Sequence, residues 1–315
     1  MFKNESKYMK RFFNPNKTDE SKYTLGIIAG VHGDEPGSII LAKRLMNYFE
    51  NECGDNFPTK FSEIKILPFA NIPAIIHNTR DYKEMCNPKD TNLNRGWGMD
   101  DDEYNMDGIR NIIKEFVNDA DVIIDLHSSP TCIPGFLIDS NQTYSDALIK
   151  WCEDSNINCM VRDCINPTIK KYAASKGKIA LTWEQSGMVG RNNYSVIDSQ
   201  YIFDMWRSEI IPKLSELIDY VNQYKFIIQV SDYKSEYILS KHNGIFVPMF
   251  SEYKDNMVVP AGTCIGYIIP ITTSIQDSIP VTVDKPSKIQ ILTDARYVHE
   301  YEPLAIVSHS GFTIK

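Results

Sequence analysis

The segment Leu25-Gly-Ile-Ile-Ala-Gly-Val-His-Gly-Asp-Glu-Pro-Gly37 constrains this chain more than any other. An apolar run of strand length ends in a turn broken by glycine and proline. The turn leads into residues 38–49, where Ile39, Ala42, Leu45, Met46 and Phe49 recur at helical spacing. Pro36 suits the first turn of that helix, where a missing N–H costs nothing. His32 and Glu35 therefore lie together at the carboxyl end of a buried strand, where open α/β sheets put their ligands. An imidazole and a carboxylate at this spacing are two-thirds of the His/His/Glu set that holds a catalytic zinc with one position open. Standing alone, the pair reads better as a buried-strand histidine that caps the helix, so the rest of the chain has to complete the site.

Residues 1–24 are polar with some aromatics and offer an edge strand ahead of the first buried one. Residues 63–70 read as a second strand, 107–118 as a short amphipathic helix, and 121–127 as a third buried strand. Between them, 71–110 shows no sustained periodicity and is rich in Asn, Asp, Gly and Pro; a loop of that length inside a domain is usually functional. Strands at 135–139, 157–161 and 178–184 alternate with a helix at 144–154, and 201–224 carries long helical periodicity broken or bent at Pro212. This alternation points to an α/β sheet with helices on both faces. After roughly Lys225 the composition shifts to short β-type runs at 226–230, 244–250, 257–259, 266–271, 279–283, 289–292 and 304–307, separated by turns.

The net charge of −8 argues against a nucleic-acid footprint, and no apolar run approaches membrane-spanning length. The N-terminal residues lack the apolar core of a signal peptide. Seven cysteines, an odd number without a C-x-x-C, read as reduced thiols in a cytoplasmic protein.

Three strands deliver a ligand or an acid at their carboxyl ends: His32 with Glu35, then His127, then Glu184. His127 alone reads equally as a satisfied core histidine; in company with His32 and Glu35 it becomes the expected third zinc ligand. Asp125, two residues earlier, shares its face by the strand period and either orients the imidazole or makes a strand-end ion pair. Glu184 ends a buried strand, where a carboxylate resists full ionisation and suits a general base near neutral pH; the alternative is a helix-capping or ion-paired glutamate. Arg80 and the run Thr91-Asn-Leu-Asn-Arg-Gly-Trp97 fall between the ligand segments. Guanidinium forks suit carboxylate recognition and oxyanion stabilisation, and an adjacent Asn adds a hydrogen bond.

His-Gly-Asp-Glu at 32–35, Asn-Leu-Asn-Arg at 92–95, Asp-Leu-His at 125–127 and the strand ending at Glu184 together resemble the succinylglutamate desuccinylase/aspartoacylase family, a branch of the zinc carboxypeptidase-like hydrolases. The resemblance spans nearly the whole chain. It includes the C-terminal β module, where 243–248 and 259–266 are similar to a domain of the bacterial and archaeal deacylases. It implies a zinc carboxypeptidase-like mixed sheet with helices on both faces over 1–225, and a small all-β domain over 226–315 framing the active-site entrance. It implies one zinc ion per chain on His32, Glu35 and His127, with Glu184 as general base on a zinc-bound water. Arg80 would stabilise the oxyanion, and Asn94 with Arg95 would hold a substrate carboxylate. The chain also departs from the family. Aspartoacylase proper has a further substrate-binding Arg shortly before the catalytic Glu, whereas 168–177 offers only lysines here, so N-acetylaspartate is not implied. Gln185-Ser-Gly187 follows the base, and Thr91 stands where the family commonly has an acid.

The sequence is thus read as a cytoplasmic zinc-dependent amidohydrolase acting on a small carboxylate-bearing amide, with no nucleic-acid or membrane partner and with homo-oligomerisation left open. A carboxypeptidase acting on peptides or cell-wall fragments is the nearest rival; the short His32–His127 separation and the β module lean toward small acyl amides. A non-catalytic zinc- or ligand-binding protein is the other rival, and a binder has no need of a positioned base. In the β module, Tyr297, His299 and Tyr301 are candidates to reach a substrate.

Overall fold

Strands with long apolar runs are buried on both faces, and three of them form the middle of the molecule. The computed structural model describes residues 9–81, 92–97, 108–129, 134–140, 142, 144–162, 167–186, 196–224, 234–248, 258–270, 278–284, 287–291, 296–298 and 303–309. The strands are β1 (Lys10–Phe13), β2 (Tyr23–Ile28), β3 (Phe61–Leu67), β4 (Val122–Ser129), β5 (Gly135–Asp139), β6 (Cys159–Arg162) and β7 (Ile179–Ser186). They make one seven-stranded sheet in the order β1-β3-β2-β4-β7-β5-β6. β3, β2, β4 and β7 run parallel. β1 closes one edge antiparallel to β3, and β5 reverses against β7 with β6 parallel to it, so the sheet is mixed.

The strand period sorts the side chains into two cores. Leu25, Ile27, Val122, Ile124, Leu126, Leu181 and Trp183 point to the face covered by α1 (Pro36–Asn51), where Leu41 and Leu45 meet them. The opposite face takes Ile28, Ile123 and Ala180, and after the short helix α2 (Ile72–His77) comes α3 (Ile109–Asn118) to cover it. α4 (Ser145–Asp154) joins the first face through Leu148 and Trp151, and α5 (Ile169–Ser175) joins the second through Ile169 and Ala173. α6 (Val196–Met205) and α7 (Ile211–Tyr224) complete the first face. Helices thus lie on both faces of a mixed sheet, as the sequence predicts. No helix among the described residues is long and apolar enough to cross a membrane.

Several boundaries differ for physical reasons. The edge strand expected within 1–24 is β1. The irregular stretch 71–110 contains α2, six residues long and too short to show periodicity. Asn71 caps it by accepting from the Ala74 N–H at 3.3 Å. α5 escaped the periodicity reading because Lys170 and Lys171 occupy its first turn, where cations oppose the helix dipole. Lys170 is buried there and ion-paired to Asp139 at 2.8 Å. The helix expected at 201–224 starts earlier, at Val196, and a π turn at Trp206–Ile210 precedes Pro212, which sits in the first turn of α7.

Beyond α7 the described strands are β8 (Lys234–Leu239), β9 (Gly244–Pro248), β10 (Val258–Val259), β11 (Cys264–Ile269), β12 (Ile279–Thr282), β13 (Ser287–Ile291), β14 (Arg296–Val298) and β15 (Pro303–His309). They form two four-stranded sheets, β10-β13-β15-β8 and β12-β11-β9-β14. β8, β13 and β15 contact β6, the edge of the large sheet. The expected strand 226–230 and the boundary near 225 lie outside the described residues, as do His299 and Tyr301; Tyr297 lies in β14 opposite Ile245.

On the α1 face, the carboxyl half of β7 is backed by an aromatic cluster. Trp183 meets Trp206 edge-on at 5.3 Å between ring centroids and Phe136 at 5.0 Å. Trp206 is fully buried, so Trp206→Ala should cost about 3–5 kcal/mol, read as a lowered urea midpoint with the transition slope unchanged.

Candidate active site

The site begins where β2 ends. Gly30 turns the chain with φ +69, and the Asn71 N–H donates to its carbonyl at 2.9 Å. Gly33 lies so close to α2 that a β-carbon there would come within 2.1 Å of the Ala74 carbonyl. The turn is thereby pressed flat against α2, and His32 and Glu35 are turned inward, 1% and 3% exposed. Glu35 occupies the N-cap position of α1, yet its side chain caps nothing. His32 caps nothing either: its ring nitrogens meet Glu35 Oε1 and Asn92 Oδ1, so a helix-capping histidine does not describe the pair.

The Glu35 carboxylate is instead the meeting point of three chain segments. Its Oε1 is 2.8 Å from His32 Nδ1 and accepts from Arg80 Nη1 at 2.8 Å. Its Oε2 is 3.0 Å from His127 Nδ1 and accepts from the Ser128 backbone N–H at 2.9 Å. The outer ring nitrogens are also engaged. His32 Nε2 is 3.2 Å from Asn92 Oδ1, and His127 Nε2 is 2.9 Å from Asp125 Oδ2. Asp125 is fully buried and shares the face of His127, as the strand period predicts. Asn94 Nδ2 lies 3.0 Å from the same His127 Nε2, while its Oδ1 accepts from the Ile169 N–H at 2.9 Å.

Register brings in the fourth acid. In the parallel pairing of β4 with β7, His127 stands directly beside Glu184. Trp183 and Gln185 turn to the α1 face and are fully buried, whereas Glu184 points to the side of His127 and is half-buried. Arg80 keeps 42% of its side chain exposed beside Glu35, within reach of a small ligand. Arg95 is half-buried and donates through Nη1 to the Asn94 carbonyl at 2.8 Å.

The electrostatics follow from this crowding. Burial would push the Glu35 carboxyl up, but His32 and His127 outweigh it and hold the group well below its usual range. Burial would lower His127, yet Asp125 and Glu35 raise it well above the ordinary imidazole value. Arg80, which burial alone would lower, is raised by Glu35 and Asp34, with Glu184 adding to the same effect. Asp34 is pushed up by burial and by Glu35, against the opposing pull of Arg80 and His32.

Such a concentration of donors around one point fits a divalent metal. One ligand atom from each of His32, Glu35 and His127 lies within 4.8 Å of the others, the one such group among the described residues. With zinc bound, an Nε2–H given to Asn92 by His32, and to Asp125 by His127, would free both Nδ1 atoms, which face Glu35 here, to ligate it. Two imidazoles and one carboxylate are the donor set of a catalytic zinc.

The structure therefore brings together His32, Glu35, His127, Asp125, Glu184, Arg80, Asn94 and Arg95 at one end of the parallel strands. Three contributors went unremarked in the sequence. Asn92 stands inside the quoted Asn-Leu-Asn-Arg motif but was given no role. The Ser128 N–H is a backbone group without a sequence signature. Arg110, whose guanidinium donates to the Gly96 and Arg95 carbonyls behind Asn94, did leave a trace, being a cation in the first turn of a helix.

Sheet order and strand-end donors define a zinc carboxypeptidase-like fold. Residues 21–199 match the family model of the succinylglutamate desuccinylase/aspartoacylase catalytic domain, and the chain belongs to that family of hydrolases. No curated protein matches it by sequence. Among solved structures, an aspartoacylase family protein from Mesorhizobium loti is 19% identical over 93% of this chain and 87% of that one, with a TM-score of 0.65. A succinylglutamate desuccinylase/aspartoacylase from Rhodobacter sphaeroides is 16% identical, with the same coverages and a TM-score of 0.61. The product-bound ectoine utilization protein EutE from Ruegeria pomeroyi is 16% identical over 96% of this chain and 95% of that one, with a TM-score of 0.58. At these identities the likeness is one of fold.

Because a β-carbon at position 33 meets backbone rather than a movable side-chain tip, Gly33→Ala should displace the His32–Glu35 turn. The expected cost is about 1–3 kcal/mol, with reduced metal uptake measured on the folded fraction.

Proposed function

We propose that this chain is a zinc-dependent amidohydrolase that removes the acyl group from a small carboxylate-bearing N-acyl amino acid or a related amide. Family membership supports the hydrolase class. The observation that carries the finer reading is the register that sets Glu184 beside His127, across from the cluster of His32 and Glu35. A metal-binding protein without catalysis has no use for a half-buried acid held at that position.

His32, Glu35 and His127 hold the metal, and Asp125 orients the His127 ring. A bound zinc supplies Lewis acidity toward the amide carbonyl and brings the pKa of water toward about 7. Glu184 takes the proton of the attacking water and delivers it to the leaving nitrogen, the two transfers a single carboxylate can serve in sequence. Arg80 donates to the carbonyl oxygen as charge develops there. Arg95 supplies the cation for the substrate carboxylate; Asn94, whose Oδ1 is held by the Ile169 N–H, has its side-chain N–H groups to add. The β module meets the large sheet at β6, on the Glu184 side of β4; its role in this reading is to frame the entrance and favour small substrates over peptides.

Purified protein should contain near-unit zinc by elemental analysis and lose it in His32→Ala and His127→Ala; full retention in both would exclude these ligands. Glu184→Gln should keep zinc and fold while kcat falls by about 10²–10⁴-fold. A variant with zinc, fold and wild-type turnover would remove Glu184 from the role. A hydrolysis screen over N-acetyl, N-formyl and N-succinyl amino acids and short peptides tests the substrate class. Faster cleavage of peptides than of every N-acyl amino acid would favour the carboxypeptidase reading.

A further inference from the structure

The turn Asn92–Trp97 supports both imidazoles from behind. Asn92 Oδ1 meets His32 Nε2 at 3.2 Å and accepts from the Asn94 backbone N–H at 2.9 Å. Asn94 Nδ2 meets His127 Nε2 at 3.0 Å. The same turn carries Arg95, whose backbone N–H donates to the Asn92 carbonyl at 3.0 Å. A shift of this turn would therefore move the acceptor of the His32 ring, the side chain packed behind the His127 ring and the cationic side chain together.

A single buried guanidinium holds the turn in place. Arg110, in the first turn of α3, is 2% exposed. Its Nη1 donates to the Gly96 carbonyl at 3.0 Å and its Nη2 to the Arg95 carbonyl. The guanidinium lies 4.6 Å from the centroid of the Trp97 ring. Trp97 is locked in turn: its Nε1 donates to the Leu93 carbonyl at 2.6 Å, its backbone N–H donates to the Pro167 carbonyl at 3.1 Å, and its ring lies 5.3 Å from that of Tyr172. A buried cation at a helix N-terminus is costly on both counts. A planar fork is also the one side-chain geometry suited to bridging two consecutive carbonyls while stacked on an indole; lysine offers neither feature.

We propose that Arg110 is a positioning residue, which sets the Asn92–Trp97 turn so that Asn92 and Asn94 back the two imidazoles and Arg95 faces the substrate. This rests on the reading of His32, Glu35 and His127 as a zinc site. Loss of an outer partner of a metal ligand typically weakens metal binding 10–100-fold.

Zinc affinity, measured by competition with a chromophoric chelator, should accordingly weaken about 10–100-fold in Arg110→Met. Hydrogen exchange should accelerate at the Asn94, Arg95, Trp97 and Ile169 amides, and KM should rise more than kcat falls once zinc is saturating. Arg110→Lys should recover only part of each effect. Lys65→Met is the control: Lys65 is an equally buried cation beside the same helix, paired with Asp119 at 3.3 Å and remote from the turn. It should lower the melting temperature while leaving zinc affinity and KM at wild-type values. Unchanged zinc affinity and unchanged exchange at these amides in Arg110→Met would overturn the proposal, as would an equal loss of zinc affinity in Lys65→Met. If Arg110→Met does not fold, Arg110→Lys decides by the same readouts. Absence of turnover by the wild type would sink the proposed activity, yet the zinc titration and the exchange pattern would still decide the role of Arg110.

Discussion

The Glu35 carboxylate is the interaction on which the site depends. Placing an anion where 3% of the residue is exposed is costly unless its lone pairs are matched. Here they are met by His32, His127, Arg80 and the Ser128 N–H, which come from the turn after β2, from β4 and from the chain following α2. No local segment supplies that set. The carboxylate therefore ties sheet, turn and loop together, and the same convergence gives it the low proton affinity a metal ligand needs.

The large sheet divides its labour by face. On the α1 side, Trp183, Trp206 and Phe136 stack into a dry core that fixes the carboxyl end of β7. On the other side, Asp125, His127 and Glu184 stand together because alternate residues of adjacent parallel strands share one face. A slip of one residue in β7 would turn Glu184 into the aromatic core and Trp183 toward the histidines. Hydrophobic packing on one face therefore secures the geometry of the polar groups on the other.

Around this centre lies a layer of groups that hold other parts of the chain in place. Asn92 and Asp125 take the outer ring nitrogens, Asn94 spans from His127 to the first residue of α5, and Arg110 grips two carbonyls of the turn that carries them. Their arrangement joins α3 and α5 to the Asn92–Trp97 turn, so the helices on that face serve as the frame of the site as well as the cover of the sheet.

The central strands, the helix after Pro36 and the helices on both faces were legible because long apolar periodic runs have few alternative burials. The candidates His32, Glu35, His127 and Glu184 stood out because each lies at or just past the end of such a run, and the strand period alone put Asp125 on the face of His127. α2 and α5 were hidden, the first by its six-residue length and the second by lysines in its first turn, one of which finds its compensation in Asp139 on another strand. What the sequence determined was the set of candidate side chains and the end of the sheet where they gather. Tertiary structure decided which atoms meet: that Glu35 bridges two rings through their Nδ1 atoms instead of capping its helix, that β4 and β7 align His127 with Glu184, and that Asn92 and Arg110 support the site. Those pairings depend on strand register and on backbone carbonyls brought together from distant segments, and neither is written in the order of side chains along a single segment.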